Sequence, residues 1–68
     1  MSGALSHRQI EIAELVKRGL SNKEVAEKVF LTVRGVKWHM SEIFRKFGLT
    51  NRTQLLIFML KGETHEKN

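Results

Sequence analysis

Two helix starts written eleven residues apart, at Ser21 and Thr32, place the strongest limit on this chain. Ser21 opens a Ser-x-x-Glu capping box closed by Glu24, and Leu20 and Val25 are the apolar pair that staples the entering chain to the first turn. At Thr32 the same grammar returns, with Leu31 before it and Val36 after it. A helix over about 22–29 must therefore end, and another over about 33–47 begin, with little more than Phe30, Leu31 and Thr32 between them. Two short helices joined so closely form a helix-turn-helix.

The second of these helices has two chemically different sides. At about 100° per residue, Val33, Val36, Met40, Ile43, Phe44 and Phe47 share one side. Arg34, Lys37, Trp38, Ser41 and Arg45 share the other. One side is suited to burial; the other mixes cations, a hydroxyl and an indole, which fits the floor and walls of a DNA major groove.

Charge points the same way. The formal net charge is +5, unevenly distributed: residues 1–33 carry five Lys/Arg against four Glu, whereas residues 34–61 carry six against one. A clustered cationic stretch attracts a polyanion through counterion release. Nucleic acid suits it better than a membrane surface, because the apolar side of this helix is needed for the core. Sixty-eight residues give room for one domain whose core is marginal unless its helices are well capped or the chain associates. The chain contains no cysteine, so disulfides, thiolate metal sites and a thiol nucleophile are excluded. No apolar run approaches the roughly 18 residues of a membrane span, and residues 1–4 lack the features of a signal peptide. A cytoplasmic protein is expected.

The flanking segments are read from the same signals. Ser6 and Gln9 form a capping box with Leu5 and Ile10 as staple, opening a helix over about 7–18 that buries Ile10, Ile12, Ala13, Leu15 and Val16. Gly19 ends it, with Leu20 folding back on Leu15; Gly48 and Leu49 repeat that ending after the third helix. Asn51 and Gln54 open a fourth helix over about 52–61, stopped by Gly62. Its run from Leu55 to Leu60 is apolar almost all round. Leu55 and Met59 are expected to face the core, leaving Leu56, Ile57 and Leu60 as a contact with a second copy. The expected fold is thus all-α, with four helices: a lead-in over 1–5, the helix-turn-helix domain over 6–62 and a polar tail over 63–68.

Residues 5–54 resemble the LuxR/GerE-type DNA-binding domain of bacterial transcription regulators. The resemblance rests on Leu5, Ser6, Arg8 and Glu11, on the run Gly19 to Ala26, on Val36-Lys37-Trp38-His39, on Ile43 and Lys46, and on Asn51-Arg52-Thr53. Two positions depart from the family pattern: Gly35 stands where a Thr is usual, and Gln9 where a Glu is usual. Glycine at 35 loses roughly 0.5 kcal/mol of helix propensity and a hydroxyl that would hold a phosphate.

The resemblance implies that Lys37, Trp38 and Ser41 face the bases. Lys37 suits guanine O6 and N7, against a plain reading as a surface lysine. Trp38, which points away from the apolar side, lies either against sugars and a thymine methyl or against another subunit. Ser41 is short and suits a water-mediated contact. Asn22 and Lys23, beside the free N–H groups at their helix start, are expected to hold a phosphate, with capping and solvation as the plain alternative. Thr32, Arg34, Arg45, Lys46 and Arg52 are expected to meet the backbone, and His39, half-buried on the flank, to donate one hydrogen bond to a phosphate. Glu42 would repel DNA unless paired with Arg45 or Lys46; an ion pair is expected.

These residues describe a sequence-specific binder of double-stranded DNA that acts as a dimer on an inverted repeat. No catalysis, metal or cofactor is expected, because His39 has no second ligand at suitable spacing and the glutamates are scattered. Two rivals share the fold: a cationic protein-interaction module, and a sigma-factor-like domain docked on RNA polymerase. The run from Leu20 to His39 argues against both.

Overall fold

In a computed structural model that describes the backbone over residues 5–66 and the side chains over 5–61, four helices follow one another. They are α1 (His7–Lys17), α2 (Asn22–Val29), α3 (Val33–Phe47) and α4 (Arg52–Glu66). Residues 1–4 of the lead-in and the last two tail residues lie outside the described part.

Each start is made by the side chain that marks it in the sequence. Ser6 Oγ accepts from the Gln9 N–H at 3.1 Å and Gln9 Oε1 accepts from the Ser6 N–H at 3.3 Å. Ser21 and Glu24 exchange the equivalent bonds at 3.2 and 2.8 Å. Thr32 Oγ1 accepts from the Gly35 N–H at 3.0 Å. Each such cap satisfies one donor that the helix itself leaves open, worth about 1 kcal/mol. The fourth start differs from expectation. Asn51 Oδ1 accepts from the Gln54 N–H at 2.9 Å, but Gln54 Oε1 accepts from the N–H and hydroxyl of Thr50, at 2.7 and 2.9 Å. The box is displaced one residue outward because Thr50 offers two donors together.

Three helices end alike. Behind α1, Gly19 (φ 94°) lets the Leu20 N–H reach the Leu15 carbonyl at 3.3 Å and its own N–H reach Val16 at 2.9 Å. After α3, Gly48 (φ 69°) gives the same pair, Leu49 to Phe44 at 2.8 Å and Gly48 to Arg45 at 3.3 Å. In the helix-turn-helix the left-handed residue is Phe30 (φ 58°, ψ 43°), and Leu31 donates to Ala26 at 3.0 Å. In all three the left-handed residue is followed by a leucine that packs against the core. Gly62 is not followed in the sequence by a leucine, as Gly19 and Gly48 are. The expected stop at Lys61 therefore does not occur, and α4 runs on to Glu66. At the other end of the chain, α1 stops at Lys17 with Arg18 as its C-cap, one residue short of expectation.

The core gathers Ile12, Ala13 and Val16 of α1, Val25, Ala26 and Val29 of α2, Val36, Met40 and Ile43 of α3, and Leu55 of α4. Helix α3 packs on both α1 and α2, and α4 packs on α1. Ala26, small and 5% exposed, allows α2 and α3 to cross closely. Ile10, expected inside, is 50% exposed, while Gln9 takes the buried position. The phase explains the exchange: 9, 12, 13 and 16 fall on one stripe, and 10 falls beside it. Val33 is likewise at the rim, 37% exposed.

Candidate nucleic-acid interface

Helix α3 turns Val36, Met40 and Ile43 inward, which leaves Arg34, Lys37, Trp38 and Ser41 exposed on its outer side. Trp38 is 59% exposed, its indole edge-to-face with the His39 imidazole at a centroid separation of 5.0 Å. The outer side of α3 does not stand alone. Lys37 and Ser41 share a cleft of about 400 Å³ with Asn22 at the start of α2 and with Thr50, Asn51 and Arg52 at the start of α4. Met40 and Phe44 contribute its apolar lining, and among the described residues no carboxylate lines it. Two helix N-termini thus border one concavity together with a lysine, an arrangement in which open N–H groups and the positive ends of two helix dipoles favour an anion. Acidic residues of α2 are kept apart: Glu24 and Glu27 line a separate hollow with Leu20 and Lys28.

Arg52 has a second employment that sequence reasoning missed. Its Nη1 donates to Asn22 Oδ1 at 2.8 Å and its Nη2 donates to the Leu20 carbonyl. The guanidinium therefore ties the start of α4 to the start of α2 and holds two walls of the cleft together. Arg8 performs a similar service elsewhere, donating to the Val29 carbonyl at the end of α2 at 2.7 Å. Nothing in the local sequence announces either bond, since the partners lie 30, 32 and 21 residues away.

The remaining sequence candidates separate into two groups. Lys23 and Thr32 are exposed near the helix starts, as a backbone-facing role requires. Arg45 is paired with Glu42, the ion pair expected from the sequence, and that hydrogen bond, followed by the carboxylate charge, raises the guanidinium pKa. Lys46 and His39 lie on the α1 side of α3: Lys46 Nζ donates to Gln9 Oε1 at 3.0 Å, and His39 Nδ1 is 3.4 Å from Gln9 Nε2. Gln9 is the buried residue that sequence reading treated only as a cap. Its signal was the 9, 12, 13, 16 spacing.

Around Gly35, a Cβ would lie 3.3 Å from Thr32 Oγ1 and 3.7 Å from the Leu31 side chain. A larger residue there requires the Thr32 side chain that caps α3 to shift by a few tenths of an ångström.

On α4, Leu55 is buried and Met59 is half-buried against the core, as expected. Leu56 also packs against the core, whereas Ile57, Phe58 and Leu60 are 47%, 44% and 56% exposed. Phe58 stacks obliquely on Phe47 with centroids 4.7 Å apart. No described helix is long and apolar enough to cross a membrane.

A tightly joined α2 and α3, with α1 as scaffold and a cationic outer cleft, defines a helix-turn-helix DNA-binding domain. Residues 3–59 match the family model described as bacterial regulatory proteins, luxR family. The chain belongs to that family. It is similar to the oxygen regulatory protein NreC of Staphylococcus aureus strains JH9, JH1 and Mu3, at 42% identity over 62 residues, 91% of this chain. The alignment spans 29% of the length of those relatives.

Proposed function

We propose that α3 enters the major groove of double-stranded DNA and reads base edges through Lys37, Trp38 and Ser41. Asn22, Lys23, Thr32, Arg34 and Arg52 hold phosphates beside it, and His39 adds one hydrogen bond from the flank. Arg45 and Lys46, already engaged by Glu42 and Gln9, act on the backbone mainly through charge. The observation that carries this reading is the cleft shared by Lys37, Ser41, Asn22 and Arg52, where a cationic helix side adjoins two helix N-termini.

The exposed apolar side of α4 supports a second copy as partner. A two-fold contact through Ile57 and Leu60, with Phe58 beside them and Leu56 at its edge, places two recognition helices about one DNA turn, roughly 34 Å, apart. The site is then an inverted repeat. Such a patch is small, so pairing occurs on DNA rather than in solution. The role is that of a bacterial transcription regulator acting in the cytoplasm, with RNA polymerase as a further partner once the operator is occupied.

Selection of bound sequences from a random duplex pool tests the reading. Enrichment of one inverted motif supports it; uniform recovery of all sequences rejects base readout by α3.

A further inference from the structure

Among the described residues, Gln9 is the only buried polar side chain, 5% exposed. Its Oε1 accepts from the Ser6 N–H at 3.3 Å and from Lys46 Nζ at 3.0 Å. A backbone N–H and an ammonium can only donate, so the amide cannot be turned over without placing its NH₂ against two donors. Nε2 is thereby fixed towards α3, where it meets His39 Nδ1 at 3.4 Å, the long end of a hydrogen bond. An amide N–H facing a ring nitrogen makes that nitrogen an acceptor. A neutral imidazole has one acceptor and one donor, so its proton sits on Nε2. Every buried side-chain nitrogen or oxygen among the described residues has a partner. Among the described residues His39 Nε2 makes no hydrogen bond, and the imidazole is half-buried on the flank of α3.

From this geometry we infer that Gln9 is a positioning residue for DNA binding: it fixes His39 as the Nε2–H tautomer, so that the flank of α3 presents an N–H donor to a phosphate. The inference rests on the reading of α3 as the DNA-facing helix. The chain of contacts is short: Ser6 and Lys46 orient Gln9, Gln9 orients the imidazole, and the imidazole offers one proton. Trp38 stands edge-to-face with the same imidazole.

The test uses the free protein first. Long-range proton–nitrogen correlation spectra of the His39 ring, recorded where the imidazole carries a single proton, report which nitrogen holds it. The wild type is expected to show Nε2–H alone. Gln9→Glu puts an acceptor oxygen against Nδ1 and is expected to move the proton there, while Gln9→Met, which offers neither donor nor acceptor, is expected to give a mixture. Wild-type spectra with Nδ1–H, or with the mixture of a free imidazole, overturn the proposal whatever DNA does.

The second arm is titration of a duplex carrying the selected motif. Gln9→Glu should bind roughly tenfold more weakly, as for one lost hydrogen bond to a charged acceptor. The same change made in a His39→Phe background should add no further loss, which separates the tautomer from the new charge. An equal loss in both backgrounds overturns the link from Gln9 through His39 to DNA. Should the wild type bind no duplex at all, the functional reading fails, and the tautomer spectra still decide what Gln9 does to His39.

Discussion

Arg52 Nη1 donates to Asn22 Oδ1 at 2.8 Å, which binds the first residue of α4 to the first residue of α2, both of which line the outer cleft. With its second bond, to the Leu20 carbonyl, the guanidinium fork clasps the entry of the helix-turn-helix. Arg52→Ala is expected to lower stability by about 1.5–3 kcal/mol, the range for hydrogen bonds made by a charged group. Arg52→Lys should restore little of it, because an ammonium cannot reproduce the planar fork. Urea denaturation measures both; full recovery with lysine would reduce the clasp to a matter of charge.

Lys37 stands on the exposed side of α3 and lines the cleft with Ser41. Lys37→Ala should cost roughly 1–3 kcal/mol on the preferred duplex and little on random DNA, since a base contact carries specificity. Fluorescence anisotropy on the two duplexes decides it. Equal losses would reassign Lys37 to the phosphate backbone.

Phe30 is 92% exposed and left-handed, so its ring gains no burial while its backbone occupies a region that L-residues avoid. Phe30→Gly is expected to raise stability by about 1 kcal/mol, keeping the Leu31 to Ala26 bond that ends α2. A lower urea midpoint in the glycine variant would show that the phenyl ring contributes packing that outweighs the backbone strain.

Ser21 and Thr32 cap α2 and α3 with similar geometry. Each alanine variant should lose about 1 kcal/mol of stability. At a temperature where both stay folded, Thr32→Ala should lose more DNA affinity than Ser21→Ala, because Thr32 opens the recognition helix itself. Matching affinities would confine Thr32 to its cap.

The α4 surface is best probed at Ile57 and Leu60, which are exposed, rather than at Leu56, which packs against the core. Ile57→Glu and Leu60→Glu are expected to abolish cooperative binding to a two-half-site duplex while a single half-site is still bound. Cooperativity retained in both folded variants would assign the apolar side of α4 to some other contact.

Much of the fold was legible in the sequence, and for one reason: the signals that place helix ends act within a few residues. Ser6, Ser21, Thr32 and Asn51 reach donors three positions away, and Gly19 and Gly48 release carbonyls that the next leucine satisfies. The cationic outer side of α3 follows from helical phase alone. Three local features still escaped. Phe30 adopts the glycine conformation without a glycine to announce it, Gly62 fails to stop α4, and Gln54 caps through Thr50.

What tertiary structure alone decided lies in bonds between distant positions. Gln9 and Lys46 are 37 residues apart, Gln9 and His39 are 30, and Arg8 and Val29 are 21. Local sequence specifies that each of these side chains carries a donor or an acceptor, and helical phase specifies its side. Which donor meets which acceptor depends on where α1, α3 and α4 come to rest against the shared apolar core. That packing turned Gln9 from a capping residue into the anchor of His39, and gave Arg52, expected only to meet the DNA backbone, a clasp on Asn22 and Leu20.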